Sequence, residues 1–226
     1  MNNFKKDKFC VIKSAISKDL ALFCYNYFLM QRQVYETCAQ HRYISPFETL
    51  IGYYAGKNEQ VPHTYTHYSN IAFETLMLKL QPKMEQITGL KLSPNYTFSR
   101  LYKRGDILER HKDRFSCEIS TTLNLGGDSW PIYIEPNPKK GKEINGKYVS
   151  NMTKGIKIIL KPGDMLVYRG DKLEHWREPF QGETCGQVFL HYNNVNSSFA
   201  NGPYGENCVF DGRPHLGLPV WFKKEV

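Results

Sequence analysis

The 226-residue sequence predicts a mainly β fold of the α+β class, in which two helices precede a sandwich or closed barrel of short strands. The first observation behind this prediction is a change of character near residue 96. From there on, short runs of β-branched and aromatic residues alternate with Gly, Pro and Asp turns, a pattern typical of a sandwich or barrel. The second observation is an apolar repeat at helical spacing in two segments before residue 95.

The first helix is expected between Ser17 and about Gln40, after a short strand at 9–12. Ser17 is a residue type that caps helix N-termini, and an acidic residue follows in the first turn. Apolar residues then recur at i, i+3, i+4, i+7 and i+8, which indicates one face packed on a core. These residues are Leu20, Phe23, Cys24, Tyr27 and Phe28.

Ser69 is expected to cap a second helix and Gly89 to end it, because glycine readily adopts the left-handed conformation that follows many helices. Pro82 should kink this helix, since proline removes a backbone donor and clashes with the preceding turn. The apolar face of the helix is formed by Phe73, Leu76, Met77, Leu80, Met84 and Ile87. Residues 44–69, before this helix, are rich in aromatics and turns and show no clear period.

Eight strands are predicted after the helices, at 96–103, 107–113, 117–124, 131–135, 156–161, 164–168, 172–177 and 184–193. The segment 136–155 between them is too polar for the core. We expect it to be an insertion, either a mobile lid at the rim of a site or a solvated hairpin. The tail lacks a period, but its apolar residues suggest that it packs down, namely Phe210, Leu216, Leu218, Val220 and Trp221.

The composition bounds the class of protein. Hydrophobic residues make up 41% and aromatic residues 14% of the chain, which fits a globular protein and excludes wholesale disorder. No apolar run approaches the ~20 residues of a membrane span, and the N-terminus lacks the features of a signal peptide. Six cysteines without a C-x-x-C pair suit reduced thiols in the cytoplasm. We expect one domain (1–226), with a helical part (1–95), a β core (96–195) and a tail packed on the core (196–226).

The pattern His111-Lys-Asp113, with His175 in a distant strand, indicates a metal site. Residues i and i+2 of a strand point to the same face, so His111 and Asp113 can offer an imidazole and a carboxylate to one point. His175 completes a facial triad of the kind that holds Fe(II) and leaves positions open for oxygen and a co-substrate. The other histidines lack this spacing and are expected to be structural, namely His41, His63, His67, His191 and His215.

At these residues the sequence resembles the iron- and 2-oxoglutarate-dependent dioxygenases, most closely the prolyl 4-hydroxylase-like branch. The resemblance runs from about residue 96 to 192, and more loosely through the helical part. It is carried by RLYKRG (100–105), ERHKD (109–113), LNLGG (123–127) and PGDMLVY (162–168), in the order of the family. It implies a double-stranded β-helix (jelly-roll) core with N-terminal helices packed on one sheet. It also implies Fe(II), with 2-oxoglutarate and O2 as co-substrates.

The residue that binds the far carboxylate of 2-oxoglutarate departs from the family pattern. The prolyl hydroxylase branch uses an Arg or Lys on the last core strand, where this sequence has Thr184 or Cys185. We expect Arg177 to replace it. Arg177 stands two residues after the second histidine, so it should enter the same cavity, and a guanidinium can bind a carboxylate through two parallel hydrogen bonds. Arg100 is the alternative anchor. If Arg177 has no binding role, we expect it to form a salt bridge at the surface.

Three further residues are expected around the co-substrate. Tyr102 matches the position of a family tyrosine that donates a hydrogen bond to 2-oxoglutarate. Thr122 lies in the strand after the H-x-D pattern, on a face that should look inward. Its short side chain, with that of Thr184, would leave room for an arginine from a neighbouring strand, although both threonines also suit ordinary strand positions.

The resemblance implies hydroxylation of a C–H bond, in a prolyl or other residue of a peptide or protein. Oxidative demethylation of a nucleic acid is an alternative, supported only by the net charge of +8, which permits an anionic partner without requiring one. Small free molecules are also possible substrates. A non-catalytic binding module on the same fold is an alternative from another class. The intact triad argues against such a module, and the missing basic residue on the last strand argues for it.

Overall fold

The computed structural model describes residues 3–45, 47–198 and 209–222. Its helices are α1 (Phe4–Asp7), α2 (Lys18–Gln40) and α3 (Ile71–Thr88). Its strands are β1 (Phe9–Ile12), β2 (Tyr53–Tyr54), β3 (Tyr65–Tyr68), β4 (Leu92–Lys103), β5 (Leu108–His111), β6 (Ile119–Gly127), β7 (Ile132–Ile134), β8 (Lys142–Ile144), β9 (Lys147–Val149), β10 (Ile156–Ile158), β11 (Met165–Tyr168), β12 (His175–Arg177) and β13 (Thr184–Asn194). Short 3-10 turns lie at Phe115–Cys117 and Val209–Gly212.

Two antiparallel sheets form the β core. The larger sheet has seven strands in the order β1-β11-β6-β13-β4-β3-β2, and the smaller has four in the order β10-β7-β12-β5. The strands β8 and β9 form a separate hairpin. Strands that are distant in the chain are neighbours in both sheets, as in a jelly roll. All eight strands predicted after residue 96 are present, and the expected mainly β fold with N-terminal helices is confirmed.

The helices α2 and α3 pack on the larger sheet, chiefly against β6 and β4. Two glycines that pair across β6 and β13, Gly126 and Gly186, permit this close approach. A Cβ atom at Gly186 would lie 2.6 Å from the ring of Tyr25 on α2, and one at Gly126 would lie 2.9 Å from the same ring. A side chain at either position would therefore push the helix away from the sheet.

A second apolar layer lies between the two sheets. It combines Phe9 and Leu166 from the larger sheet with Ile132, Ile134 and Ile158 from the smaller one. All five side chains are buried. The candidate site lies beside this layer, so the sandwich fixes the strands that carry it.

The structure corrects the predicted face of α2. Ser17 caps this helix and accepts a hydrogen bond from the backbone N–H of Leu20 at 3.2 Å, as expected. Phe23 is nevertheless 69% exposed, so its predicted place on the core face is wrong. The buried face is formed by Ala21, Cys24, Tyr25 and Phe28. The helical spacing fitted two overlapping stripes, and the contact of Tyr25 with the sheet glycines decides between them.

The structure also corrects the cap of α3. Asn70, and not Ser69, is the N-cap, because its side-chain oxygen accepts from the backbone N–H groups of Ala72 and Phe73. The Ser69 hydroxyl instead contacts Glu74 and the backbone oxygen of Leu218. Gly89 ends the helix in a left-handed conformation, with φ of 70°, as predicted. The helix assignment runs without a break through Pro82.

Four strands were not predicted. The pair β2 and β3 lies within 44–69, and the hairpin of β8 and β9 lies within 136–155. These strands have two to four residues, and their sequences show no alternation of apolar and polar residues. The hairpin agrees with a polar insertion outside the core, since five of its six strand residues are exposed and the sixth is half-buried.

The described part of the tail packs through polar side chains. Arg213 is fully buried and pairs with Glu74 of α3 at 2.8 Å. Leu216 packs on the core as predicted, whereas Trp221 is 60% exposed and Val220 is also exposed, so these two predictions are wrong. No helix in the described residues is long and apolar enough to cross a membrane.

Candidate metal centre and co-substrate pocket

His111 and His175 lie side by side in the smaller sheet. They are paired residues of the neighbouring strands β5 and β12, and their ring centroids lie 4.2 Å apart. Nδ1 of His111 donates to the backbone oxygen of Glu109 at 2.7 Å, and Nδ1 of His175 donates to that of Leu173 at 3.0 Å. Because a carbonyl only accepts, each ring carries its proton on Nδ1. In this tautomer each Nε2, which faces Asp113, is the nitrogen left to bind a metal.

Asp113 lies just beyond the end of β5, and two contacts fix its carboxylate. Its backbone N–H donates to the oxygen of Gly170 at 2.8 Å, and its Oδ2 accepts from the Ser120 hydroxyl at 2.7 Å. A Cβ atom at Gly170 would lie 2.2 Å from Oδ2, so only glycine permits this arrangement. The other oxygen, Oδ1, lies 3.5 Å from Nε2 of His111 and 3.4 Å from Nε2 of His175. The three predicted residues therefore converge on one point, and their ligand atoms lie within 4.8 Å of one another.

The protonation states of this cluster suit a cation. Burial raises the pKa of Asp113, but the contacts with His175 and His111 outweigh it and hold the pKa well below the usual range. Burial and the nearby His175 lower the pKa of His111, although Asp113 and Glu109 act in the opposite direction. An ionised carboxylate beside a neutral imidazole is the state that metal binding requires.

A cavity of about 430 Å³ opens over the triad. Its wall contains apolar, aromatic and charged side chains from both sheets and from a surface loop. The lining residues are Glu59, Gln60, Tyr96, Phe98, Arg100, Tyr102, Leu108, His111, Lys112, Asp113, Arg114, Cys117, Ile132, Tyr168, His175, Phe189 and His191. Ligand pockets commonly have this size and this mixture of apolar walls with a few polar groups.

Arg177 extends from β12 towards the larger sheet and is 1% exposed. Contrary to the prediction, it is not among the residues that line the cavity, and the strand register shifts between His175 and Arg177. Its guanidinium donates to the backbone oxygen of Trp130 and, at 3.3 Å, to the hydroxyl of Thr122. Its Nε has no hydrogen-bond partner, and no carboxylate among the described residues pairs with it. The alternative of a surface salt bridge is therefore wrong. Burial lowers the pKa of Arg177, which reflects the cost of an uncompensated buried charge.

Tyr102 lines the cavity and lies near both Arg177 and Arg100. Its ring packs on Trp130 at 4.7 Å, and its hydroxyl is buried without a hydrogen-bond partner in the described structure. Burial raises the pKa of Tyr102, although Arg100 and Arg177 both act to lower it. The hydroxyl therefore stays protonated and can donate to a ligand. Two neighbouring groups with unused donors, Arg177 Nε and Tyr102 Oη, fit an anionic ligand such as a carboxylate.

The structure corrects the placement of Thr184. Its hydroxyl accepts from Tyr25 of α2 at 3.4 Å, so its side chain points to the helical layer and away from the triad. The next residue, Cys185, faces the arginine instead, and its buried sulfur influences the pKa of Arg177. Thr122 does face inward, as predicted, and bonds to the Gln187 side chain at 3.0 Å.

Gln60 and His191 are two of the polar cavity residues that were not predicted from the sequence as site residues. Gln60, from the loop before β3, has its Nε2 2.8 Å from Nε2 of His111. His191 was expected to be structural, but its Nδ1 lies 3.1 Å from the Ser120 hydroxyl and its ring lines the cavity. His191 shares a strand face with Cys185 by i, i+2 spacing, so the alternation of β13 could have placed it. The position of the loop residue Gln60 has no such local signal.

A second group of ligand atoms is formed by Asp113, Cys117 and His191. Burial raises the pKa of Cys117 to about 12, so its thiol stays protonated. A protonated thiol is a poor metal ligand, and the first group is therefore the better candidate.

Three comparisons with known proteins bear on this chain. No family model and no curated protein matches it. Among solved structures, it is similar to the α-ketoglutarate-dependent epimerase SnoN from nogalamycin biosynthesis, at a TM-score of 0.61 and 9% identity over 85% of this chain and 81% of that one. It is also similar to HygX from Streptomyces hygroscopicus with nickel and 2-oxoglutarate bound, at a TM-score of 0.59 and 12% identity over 85% of each chain.

A third similar structure is the viral collagen prolyl hydroxylase vCPH from Paramecium Bursaria Chlorella virus-1, in complex with 2-oxoglutarate. Its TM-score is 0.51 at 10% identity, over 84% of this chain and 98% of that one. The expected jelly roll is confirmed by this likeness. The chain has the double-stranded β-helix fold of the 2-oxoglutarate- and Fe(II)-dependent oxygenases.

Proposed function

We propose that this chain is an Fe(II)- and 2-oxoglutarate-dependent dioxygenase that hydroxylates a C–H bond. The observation that carries the proposal is the convergence of the two histidine Nε2 atoms on Oδ1 of Asp113, at 3.4 and 3.5 Å. Two imidazoles and one carboxylate on one side of an open cavity are the ligand set of non-heme Fe(II) oxygenases. Bound iron, with 2-oxoglutarate and O2, would supply the oxidant for an unactivated C–H bond.

In this proposal His111, Asp113 and His175 hold the metal. The backbone acceptors of the two Nδ1 protons keep both rings in the required tautomer and orientation. Ser120 and Gly170 fix the carboxylate in the same way. The apolar wall of the cavity would exclude water from the reacting groups.

Arg177, Tyr102 and Thr122 would bind the far carboxylate of 2-oxoglutarate. The support is the buried guanidinium, which has no carboxylate partner among the described residues, and the unused Tyr102 hydroxyl near it. Arg177 lies next to Cys185, which stands where the prolyl hydroxylase branch carries its basic residue. An arginine from the opposite sheet would thus deliver the charge to the same place. Arg100 remains the alternative anchor.

The proposed substrate class is a residue in a peptide or protein. Its support is the fold shared with vCPH, whose name states that it is a collagen prolyl hydroxylase. Low identity leaves the choice between a prolyl and another residue to experiment. Oxidation of a nucleic acid has its only support in the net charge. A binding module without turnover is disfavoured by the complete triad.

The test is iron binding and 2-oxoglutarate turnover by the His175→Ala variant. We expect the wild type to bind one Fe(II) under anaerobic conditions and to form succinate in air. His175→Ala should lose both, because two remaining ligands do not hold Fe(II) on one face. The matched control is His215→Ala, since His215 is exposed and outside the cavity. Circular dichroism should show an unchanged fold in both variants. Full iron occupancy in His175→Ala would contradict the metal assignment.

A further inference from the structure

Arg100 is a second buried cation without an acidic partner, and unlike Arg177 it forms part of the cavity wall. It is 6% exposed and lies on the ring of Phe98, with its guanidinium carbon 4.9 Å from the ring centroid. One nitrogen, Nη1, donates to the Gln60 side chain at 3.0 Å, and Nε has no partner. No described carboxylate lies within 4 Å of it. A buried charge of this kind is costly unless a ligand neutralises it.

The other cations in the cavity wall are already satisfied. Arg114 pairs with Asp211 at 2.9 Å, and Nζ of Lys112 donates to the backbone oxygens of Pro138 and Gly141. The lining acid Glu59 accepts from a backbone N–H of its own loop. Among the described lining residues, Arg100 is thus the cation with both an unused donor and an unmatched charge.

Gln60 marks the place of a ligand beside Arg100. Its amide oxygen accepts from Arg100, and its amide nitrogen lies 2.8 Å from Nε2 of His111. The lone pair on that Nε2 serves either Gln60 or a metal, but not both. Metal binding would therefore turn the Gln60 amide away and free Nη1 of Arg100. Gln60 is an exposed loop residue, so this rotation costs little.

Arg100 and Arg177 both lie near Tyr102, but they differ in their access to the cavity, since only Arg100 is among its lining residues. Arg177 is enclosed between the sheets, near Trp130 and Thr122. Arg100 instead contacts a surface loop at the open side of the cavity. A co-substrate that reaches from the metal to Arg177 would leave the charge of Arg100 unmatched.

We infer that Arg100 binds a carboxylate of the primary substrate, so that the enzyme acts on an acid. The acid is a small molecule or an acidic residue of a peptide, since both present the same group. The inference rests on the proposed function and adds a carboxylate as the group that its substrate must carry. The guanidinium and His111 are joined by a single amide, so a substrate carboxylate on Arg100 would hold its neighbouring carbons beside the metal.

The first experiment measures 2-oxoglutarate affinity by calorimetry in protein loaded with Mn(II). Arg177→Gln should weaken binding on the order of tenfold to a hundredfold, because a charge-assisted pair is lost. Arg100→Gln should stay within about threefold of the wild type. The matched control is Arg104→Gln, since Arg104 is exposed and pairs with the exposed Glu183.

Two other outcomes would separate the inference from the proposed function. If Arg100→Gln loses the affinity and Arg177→Gln keeps it, Arg100 is the co-substrate anchor and the inference is wrong, while the dioxygenase proposal stands. If the wild type itself does not bind 2-oxoglutarate, the proposed function fails. Arg100→Lys keeps the charge and serves as a second variant if Arg100→Gln does not fold.

The second experiment tests the substrate with probe pairs that differ only in a carboxylate. N-acetyl-glutamate and N-acetyl-glutamine represent small molecules, and capped pentapeptides with a central Glu or Gln represent peptides. A wider panel of acids and their amides accompanies them. In the presence of Mn(II) and 2-oxoglutarate, the acid of at least one pair should bind about tenfold more tightly than its amide.

Arg100→Gln should remove this preference, and Arg100→Lys should retain part of it. With Fe(II) in air, the same acid should raise succinate formation in the wild type. The pair that responds identifies the source of the carboxylate. A panel in which no acid is preferred, or a preference that survives in Arg100→Gln, would overturn the inference.

Discussion

Individual buried polar groups divide into those that the protein satisfies itself and those that it leaves for a ligand. Tyr192 and Tyr102 show the contrast, since both side chains are fully buried. The hydroxyl of Tyr192 donates to the backbone oxygen of Met77 at 2.7 Å. The hydroxyl of Tyr102 has no partner among the described residues, although it lies beside two arginines. An unpaired buried donor lowers stability, so its presence is best explained by a binding role.

Removing these two hydroxyls should therefore have opposite consequences. Tyr192→Phe should lower the free energy of unfolding by about 1 kcal/mol, because a satisfied hydrogen bond is lost. Tyr102→Phe should leave it unchanged or slightly raised, and should weaken 2-oxoglutarate binding about fivefold. Urea unfolding and calorimetry in Mn(II)-loaded protein provide the two readouts. A loss of stability in Tyr102→Phe without a loss of affinity would make Tyr102 a packing residue.

At the scale of elements, strand alternation predicted which residues share a face, but not which face looks inward. Tyr102 and Thr122 were placed correctly, whereas Thr184 was placed one residue out of phase with β13. The phase is set by Gly186 beneath Tyr25, which is a contact between distant parts of the chain. The triad was predictable because its spacing is local and its chemistry specific. Gln60 was not, since its position depends on how a whole loop closes over the sheets.

The hairpin of β8 and β9 is the element most weakly attached to the fold. Its strands pair only with each other among the described strands, and most of its side chains are exposed. The link from this segment to the cavity is Lys112, whose Nζ donates to the oxygens of Pro138 and Gly141 at 2.9 and 2.8 Å. A segment with few buried contacts opens readily, and this one lies next to a residue of the cavity rim.

We predict that amides of 136–155 exchange rapidly in the free protein and slowly when substrate and 2-oxoglutarate are bound together. The reason is that a ligand against Lys112 would stabilise the loop that its ammonium holds. Hydrogen exchange with mass spectrometry measures this directly, and Lys112→Met should reduce the protection. The paired strands β6 and β13 provide an internal control of slow exchange. Protection already present in the free protein, or no change on binding, would leave the segment as a solvated hairpin without a lid role.

At the scale of the whole molecule, the two faces of the seven-stranded sheet pack against different layers. Its outer face carries the helices, and its inner face encloses polar groups with the smaller sheet. One histidine is buried on each face: His67 lies on the helical side, near Gln31 of α2, and His191 lies on the inner side, in the cavity wall. His67 accepts a hydrogen bond from the Asn70 side chain at 3.0 Å, and His191 faces Ser120. Burial lowers the pKa of each of these two histidines to about 4.

These two histidines should make the metal-free protein sensitive to mild acid. In the unfolded chain a histidine titrates near pH 6.5, so between about pH 6.5 and 4 the unfolded state binds more protons than the folded state. Stability is therefore complete above about pH 6.5 and falls as the pH decreases, by on the order of 3 kcal/mol for each histidine over the whole window. The lowered pKa of His111 acts in the same direction.

Urea unfolding at pH 7, 6 and 5 in the presence of a chelator should show this decrease of stability with falling pH. His67→Gln, which keeps an acceptor for Asn70 but does not titrate, should reduce it. The exposed His41→Gln should leave it unchanged, and an equal slope in all three proteins would show that His67 is not buried in its neutral form.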